Sequence, residues 1–134
     1  MAGCFVKEVV GERGLFFFLS NRYYWRMVSY EDFSQLQLRI ARIIEAARVE
    51  GLEKLLKLSV DAGEEAPRQI IAGLGLVYEP EDLVGKQVVV IINLEPRTIM
   101  GFSSNGMVLA AHDADGNPVI LIPEKETPAG ASIS

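Results

Sequence analysis

The chain offers few groups able to do covalent chemistry, and none of them forms a set. Its single histidine, His112, stands beside Asp113, a pairing that can move a proton or hold a metal at one ligand. The acidic pairs Glu64-Glu65 and Glu81-Asp82, the latter preceded by Glu79, can be imagined as acid and base. Each also reads as ordinary structure: a histidine at a strand end, a solvated acidic turn, and the acidic first turn of a helix. Gly73 and Gly75 do not make a phosphate loop, because no Lys-Ser or Lys-Thr pair follows them. One cysteine, Cys4, allows neither an internal disulfide nor a cysteine zinc site. The sequence therefore points to binding rather than catalysis, with no catalytic residue, metal ligand or cofactor expected.

Binding of a polyanion is not favoured by overall charge. Thirteen Lys and Arg face 18 Asp and Glu, for a formal net charge of −5. Contact with nucleic acid would need a local basic patch. Apolar residues make up 49% of the 134, enough to build a core within one domain. The densest apolar runs, Leu15–Leu19 and Val88–Ile92, are far too short to span a bilayer. Lys7 and Glu8 interrupt the N-terminal apolar residues, so no signal peptide is expected and the location reads as cytoplasmic.

The elements that must position any site change character near Met27. Residues 1–26 hold the only Trp and four of the six Phe, and carry four cations against two anions. They read as an aromatic extension, a hairpin of Cys4–Val10 and Leu15–Leu19 about a turn at Gly11–Gly14. Phe16, Phe17 and Phe18 cannot all share one strand face, so the extension is expected to cover the body or a second chain.

Residues 33–58 are ambiguous. Phe33, Leu36, Ile40, Ile43, Ile44 and Ala47 follow helical spacing, while Leu36, Leu38 and Ile40 alternate as in a strand that slips at a bulge near Ala41. Beyond them come a short apolar run at Arg68–Gly75, a short helix opened by Glu79-Pro80-Glu81-Asp82 and ended by Gly85, and a strand at Val88–Leu94 buried on both faces. Gly101–Gly106 reads as a loop. Met107–Ala111 and Val119–Ile122 form a hairpin about Asp113–Asn117, and the tail after Pro128 reads as exposed.

Two stretches carry a longer pattern: Asn93-Leu94-Glu95-Pro96-Arg97, and Met100-Gly101-Phe102-Ser103-Ser104-Asn105-Gly106-Met107-Val108-Leu109-Ala110-Ala111. Tyr30–Phe33, Leu38-Arg39-Ile40, Lys54-Leu55, Val60-Asp61, Arg68–Ile71 with Gly73, and Val84-Gly85-Lys86 agree with it. Together they resemble the OB-fold tRNA-binding domain family. That domain is found at the C-terminus of methionyl-tRNA synthetase, as its separate beta subunit, as a free-standing tRNA-binding protein, and in an export-related chaperone. The resemblance runs over about residues 28–134. It implies an all-β fold: a five-stranded Greek-key OB barrel with one short helix and an extra C-terminal hairpin. It also turns residues 36–60 from possible helix into bent strands. The expected organisation is an extension over 1–26 and a tRNA-binding OB domain over 27–134.

The resemblance implies tRNA as the partner, a methionyl-tRNA synthetase catalytic chain as a second, and pairing into a homodimer; no membrane is implied. Lys54, Arg68 and Arg97 are expected to meet phosphates, with Arg39 and Arg42 widening the basic strip. Asn93 and Ser104 are expected to offer hydrogen bonds to bases or the 2′-hydroxyl, and Met107 an apolar contact. Glu95 stands where the family often carries Lys, which removes one positive charge near that surface. The competing readings are a peptide-binding chaperone of the same fold and an enzyme using the OB groove.

Overall fold

A computed structural model describes residues 26–134 of the chain. The expected hairpin of the extension lies outside the described residues. The chain divides into one unit ending at Gln35 and another running from Leu36 to Ser134. In the first, helix α1 (Tyr30–Ser34) is capped by Ser29, whose hydroxyl accepts from the Asp32 amide at 3.0 Å.

The second unit is built on a sheet with the order β3–β2–β1–β4–β7, all neighbours antiparallel. Its strands are β1 (Leu38–Val49), β2 (Leu52–Asp61), β3 (Arg68–Ala72), β4 (Gln87–Ile91) and β7 (Met107–Val108). The ambiguous region is thus strand throughout. β1 pairs with β4 from Leu38 to Arg42, then with β2 from Arg42 onward, so one strand serves both sides of the barrel. It bends where it changes partner. The register with β2 slips between Ile43 and Glu45, which places the bulge at Ile44 rather than near Ala41. Ala41 instead sits in unbroken register opposite Val88, fully buried.

Alternation on β2 puts Leu56, Leu58 and Val60 inward, where they meet Ile43, Ile70, Val88 and Val90. Each such side chain contributes about 1.5–3 kcal/mol of burial. Helix α2 (Pro80–Leu83) lies where a short helix was expected and buries Leu83 completely; Gly85 follows it and donates to the Ile43 carbonyl at 2.8 Å. β4 is buried on both faces, as expected, but ends at Ile91, short of Leu94.

Gly101–Gly106 is not simply a loop. Arg97–Ile99 (β5) and Phe102–Ser104 (β6) form a hairpin turned by Met100 and Gly101, both at positive φ. The segment after it closes the barrel. Asn105 donates to the Gln69 backbone carbonyl at 2.9 Å, the Gln69 side-chain Nε2 donates to the Ser103 carbonyl at 2.8 Å, and β7 then pairs with β4. Gly106 is required there: a Cβ would sit 2.8 Å from the Ile91 carbonyl oxygen, at a φ of 140°.

The expected strand Met107–Ala111 is broken at Leu109, because Met107 and Val108 pair with β4 whereas Ala110–His112 (β8) turn to pair with Pro118–Ile120 (β9). The tail after Pro128 is not simply exposed. Ser132–Ile133 (β10) lies along the start of β1, on the edge that β2 reaches only later; Gly130 donates to the Ile40 carbonyl at 2.7 Å and the Ile40 amide to that of Ala131 at 2.9 Å. Among the described residues no helix is long and apolar enough to cross a membrane.

Candidate nucleic-acid interface

The expected basic residues divide by what already holds them. Arg68, on β3, gives Nε and Nη2 to the Glu64 carboxylate at 2.6 and 2.8 Å and Nη1 to the Asn105 carbonyl at 2.8 Å. The pair lowers the Glu64 pKa, chiefly through the Arg68 hydrogen bond, and raises that of Arg68; the charge of Arg39 adds to the lowering. Arg68 thus braces the barrel closure instead of waiting on the surface. Arg42 is held in the same way, with Nη1 on the Gly85 carbonyl at 2.7 Å and Nη2 on Glu126 at 2.6 Å. Arg39 is half-buried in β1, opposite Val90 on one side and Ser132 on the other.

The polar candidates are engaged too. Ser104 is buried, 3% exposed; its hydroxyl accepts from the Ile71 amide at 3.1 Å and donates to the Gly106 carbonyl at 3.3 Å. Ser104, expected to contact RNA, is placed inside the fold, with its proton given to Gly106 and one lone pair taken by Ile71. The Asn93 side chain accepts from the Gln37 amide at 2.8 Å and so ties the chain before β1 to the chain after β4.

What stays on the surface is Lys54 on β2, Arg97 at the head of β5, and Met107 on β7, which is 41% exposed. Arg97 pairs in register with Ser104, so these two candidates come together, with only the arginine facing water.

Sequence reasoning missed Lys57 and Gln69. Lys57 alternates with the buried Leu56 and Leu58 and so points out of the barrel; its ammonium stands 5.3 Å from the centre of the Phe102 ring. This links β2 to the β5–β6 hairpin across the outer face. Gln69 lies on the same face of β3. The signal for Lys57 was present in the alternation of 56–60, once β2 is known to be a strand. OB barrels bind oligonucleotides on their strand 2–3 face and the adjoining loops, and Lys57 and Gln69 lie on that face of this barrel. No group of three or more metal-ligating side chains gathers among the described residues.

Comparison with known proteins decides the family. The sequence profile of the family described as "Putative tRNA binding domain" matches residues 38–132, from the first residue of β1 into β10. The chain belongs to this family. It is 51% identical over 107 residues to methionine–tRNA ligase of Methanococcoides burtonii and 48% identical to that of Helicobacter pylori. Each match covers 80% of this chain but only 16% of the ligase. Among solved structures it resembles a MetRS-related protein from Pyrococcus horikoshii, with a TM-score of 0.75 at 30% identity over 81% of this chain and 98% of that one. It also resembles the chaperone CsaA of Bacillus anthracis, with a TM-score of 0.74 at 36% identity over 81% of this chain and 99% of that one. Both are matched almost end to end, and the fold is the all-β OB type expected.

Proposed function

We propose that this chain binds tRNA by its folded shape, does no chemistry of its own, and serves a methionine–tRNA ligase in the cytoplasm as a separate subunit or trans-acting partner. The observation that carries this reading is the family match, which spans the barrel over residues 38–132. An OB domain that holds tRNA raises its effective concentration at a catalytic chain without touching the reacting atoms.

With a net charge of −5, the protein must bind through a few local cations. Lys54, Lys57 and Arg97 are the ones we assign to phosphates. Three contacts give a log–log salt slope of roughly 2 to 3. Total tRNA should be retarded in a gel at low salt and micromolar protein. Arg97→Ala should weaken binding by about 1–3 kcal/mol and lower the slope by about one contact. Failure to retard tRNA at tens of micromolar would remove the proposal. The likeness to CsaA, named a chaperone, makes an unfolded peptide the right competitor. Peptide bound in place of tRNA would favour that second reading.

We further propose that two copies pair through the β8–β9 hairpin. Val119, Leu121 and Ile122 are 43%, 41% and 61% exposed there, an apolar strip that is costly to leave wet. Light scattering showing a lone chain at micromolar concentration would refute it.

A further inference from the structure

The outer face of β1–β3 holds a cleft of about 400 Å³ that none of the expected site residues lines. Two transverse rows of side chains make it. Glu45 lies opposite Ser59, and Ser59 opposite Gln69; next to them Ala47 lies opposite Lys57, and Lys57 opposite Ile71. Neighbours within a row stand about 4.5–5.5 Å apart. Ala41 and Ile43 point inward, so plain alternation would send Glu45 inward as well. The bulge at Ile44 reverses the phase: Ala46 packs against the core and Glu45 is exposed at the cleft. One extra residue therefore puts a carboxylate on the face that also carries the Lys57–Phe102 pair.

The polar row has a definite hydrogen-bonding character. Glu45 only accepts, and it is in no ion pair among the described residues. The Gln69 side-chain amide gives one N–H to the Ser103 carbonyl, which leaves its oxygen as an acceptor and its second N–H as a donor. Ser59, between them, can donate or accept. In the second row Ala47 contributes only a methyl group, leaving space above it for a flat ring, and Lys57 stands at one side.

Resting on the tRNA reading above, we infer that this cleft takes one unstacked guanine, with Glu45 accepting from its N1–H and N2–H₂ together. Guanine alone has two adjacent donors on its Watson–Crick edge. Adenine, cytosine and uracil each place an acceptor lone pair beside their donor, against the carboxylate. Ser59 then donates to O6, and the Lys57 ammonium meets a flanking phosphate. Splayed bases read on their Watson–Crick edges are how single-stranded RNA is recognised by sequence. The volume suits one nucleoside and not a stacked duplex.

The test uses the full chain and labelled heptamers of uridine with a single central guanosine, inosine, adenosine or cytidine, followed by fluorescence anisotropy at low salt, with total tRNA in parallel. The guanosine heptamer should bind roughly tenfold tighter than the adenosine or cytidine one, as a bidentate contact implies, with inosine between them because it lacks the N2 amine. Glu45→Gln should bring the four heptamers within about twofold of one another and still bind tRNA. Ser59→Ala should narrow the guanosine preference in the same direction. Removing a surface carboxylate raises affinity for every RNA, so the ratio between heptamers is what is read. Equal heptamer affinities with tRNA still retarded would overturn this inference and leave the tRNA reading standing. No binding of either RNA would overturn both. An unfolded peptide that displaces the guanosine heptamer from wild type and Glu45→Gln alike would give the cleft to peptide and overturn the guanine assignment.

Discussion

Replacing Ser104 by alanine separates a fold role from a binding role at a residue whose type suggests an RNA contact. The substitution removes an oxygen that accepts from the Ile71 amide and donates to the Gly106 carbonyl, all at the seam where the segment after β6 closes the barrel on β3. Ile71 is 7% exposed, so its N–H is left without water or another acceptor. An orphaned buried donor costs about 1–3 kcal/mol, and the lost hydroxyl leaves only a small void. In urea, at a slope of about 1–3 kcal/mol/M, a loss near 2 kcal/mol should lower the unfolding midpoint by about 1 M with the slope unchanged. Ser103→Ala on the same hairpin is the control. Ser103 is exposed and its backbone carbonyl, not its hydroxyl, holds Gln69, so the stability of this variant should stay within about 0.5 kcal/mol of wild type. The tRNA salt slope should be the same in Ser104→Ala as in wild type under conditions where both are folded. A Ser104→Ala protein of wild-type stability that binds tRNA poorly would refute the reasoning and return Ser104 to the RNA surface.

Three further outcomes follow from the same geometry. The Glu64 carboxyl is lowered in the fold chiefly by its hydrogen bond from Arg68, so its contribution is fully present above the ordinary carboxylate pKa and is lost as pH falls from there through the lowered folded one. Glu64→Gln should therefore flatten the loss of stability between about pH 5 and pH 3. With both partners partly exposed the difference should stay below about 1 kcal/mol, and an acid limb steeper than wild type would contradict it. Gly75→Ala should destabilise by about 1–3 kcal/mol or more, because the new Cβ would overlap the Glu53 carbonyl oxygen, a backbone atom that cannot swing aside. Thermal unfolding reads this directly, and an unchanged midpoint would show the clash is relieved. Met100 sits at φ 50° at the tip of the β5–β6 hairpin, 63% exposed. Met100→Gly should raise stability by about 0.5–1 kcal/mol, the left-handed penalty less the entropy glycine loses; a drop in the urea midpoint would mean that the methionine side chain packs at the tip.

The bulge at Ile44 explains why so much of the fold was legible and why one stretch was not. A strand has period two, but inserting one residue between Ile43 and Glu45 converts it into a run with Ile40, Ile43, Ile44 and Ala47 at helical spacing. No composition argument separates those two cases. The longer motif around Asn93–Ala111 did, by naming a fold whose first strand must bend. The β5–β6 hairpin was hidden for a related reason. Its turn needs positive φ at two positions, and only Gly101 advertises this while Met100 does not. The short helix and the C-terminal hairpin were visible because Pro80, Gly85 and Asp113–Asn117 are local signals, each acting within a few residues. The tail was misread because small residues look exposed, whereas here they allow backbone to lie against backbone along β1.

The site was legible in residue types and not in their commitments, and that difference bears on how an acidic protein can hold a polyanion. Nothing local in the sequence says that Arg42 will meet Glu126, 84 residues away, or that the Arg68 guanidinium will reach the Asn105 carbonyl. For Arg68 to serve a phosphate it would have to leave both Glu64 oxygens, exposing that carboxylate to the incoming RNA, and also release the carbonyl next to the barrel seam. The phosphate would gain one charge-assisted contact while the protein gave up a bidentate one and added a repulsion, so the exchange runs uphill. Arg42 faces the same choice with Glu126 and Gly85. Among the described residues the cations left for RNA are then few, and on the proposed reading affinity has to come largely from shape and from contacts that release no counterions. A shallow salt dependence of tRNA binding is therefore the outcome expected of the proposed site.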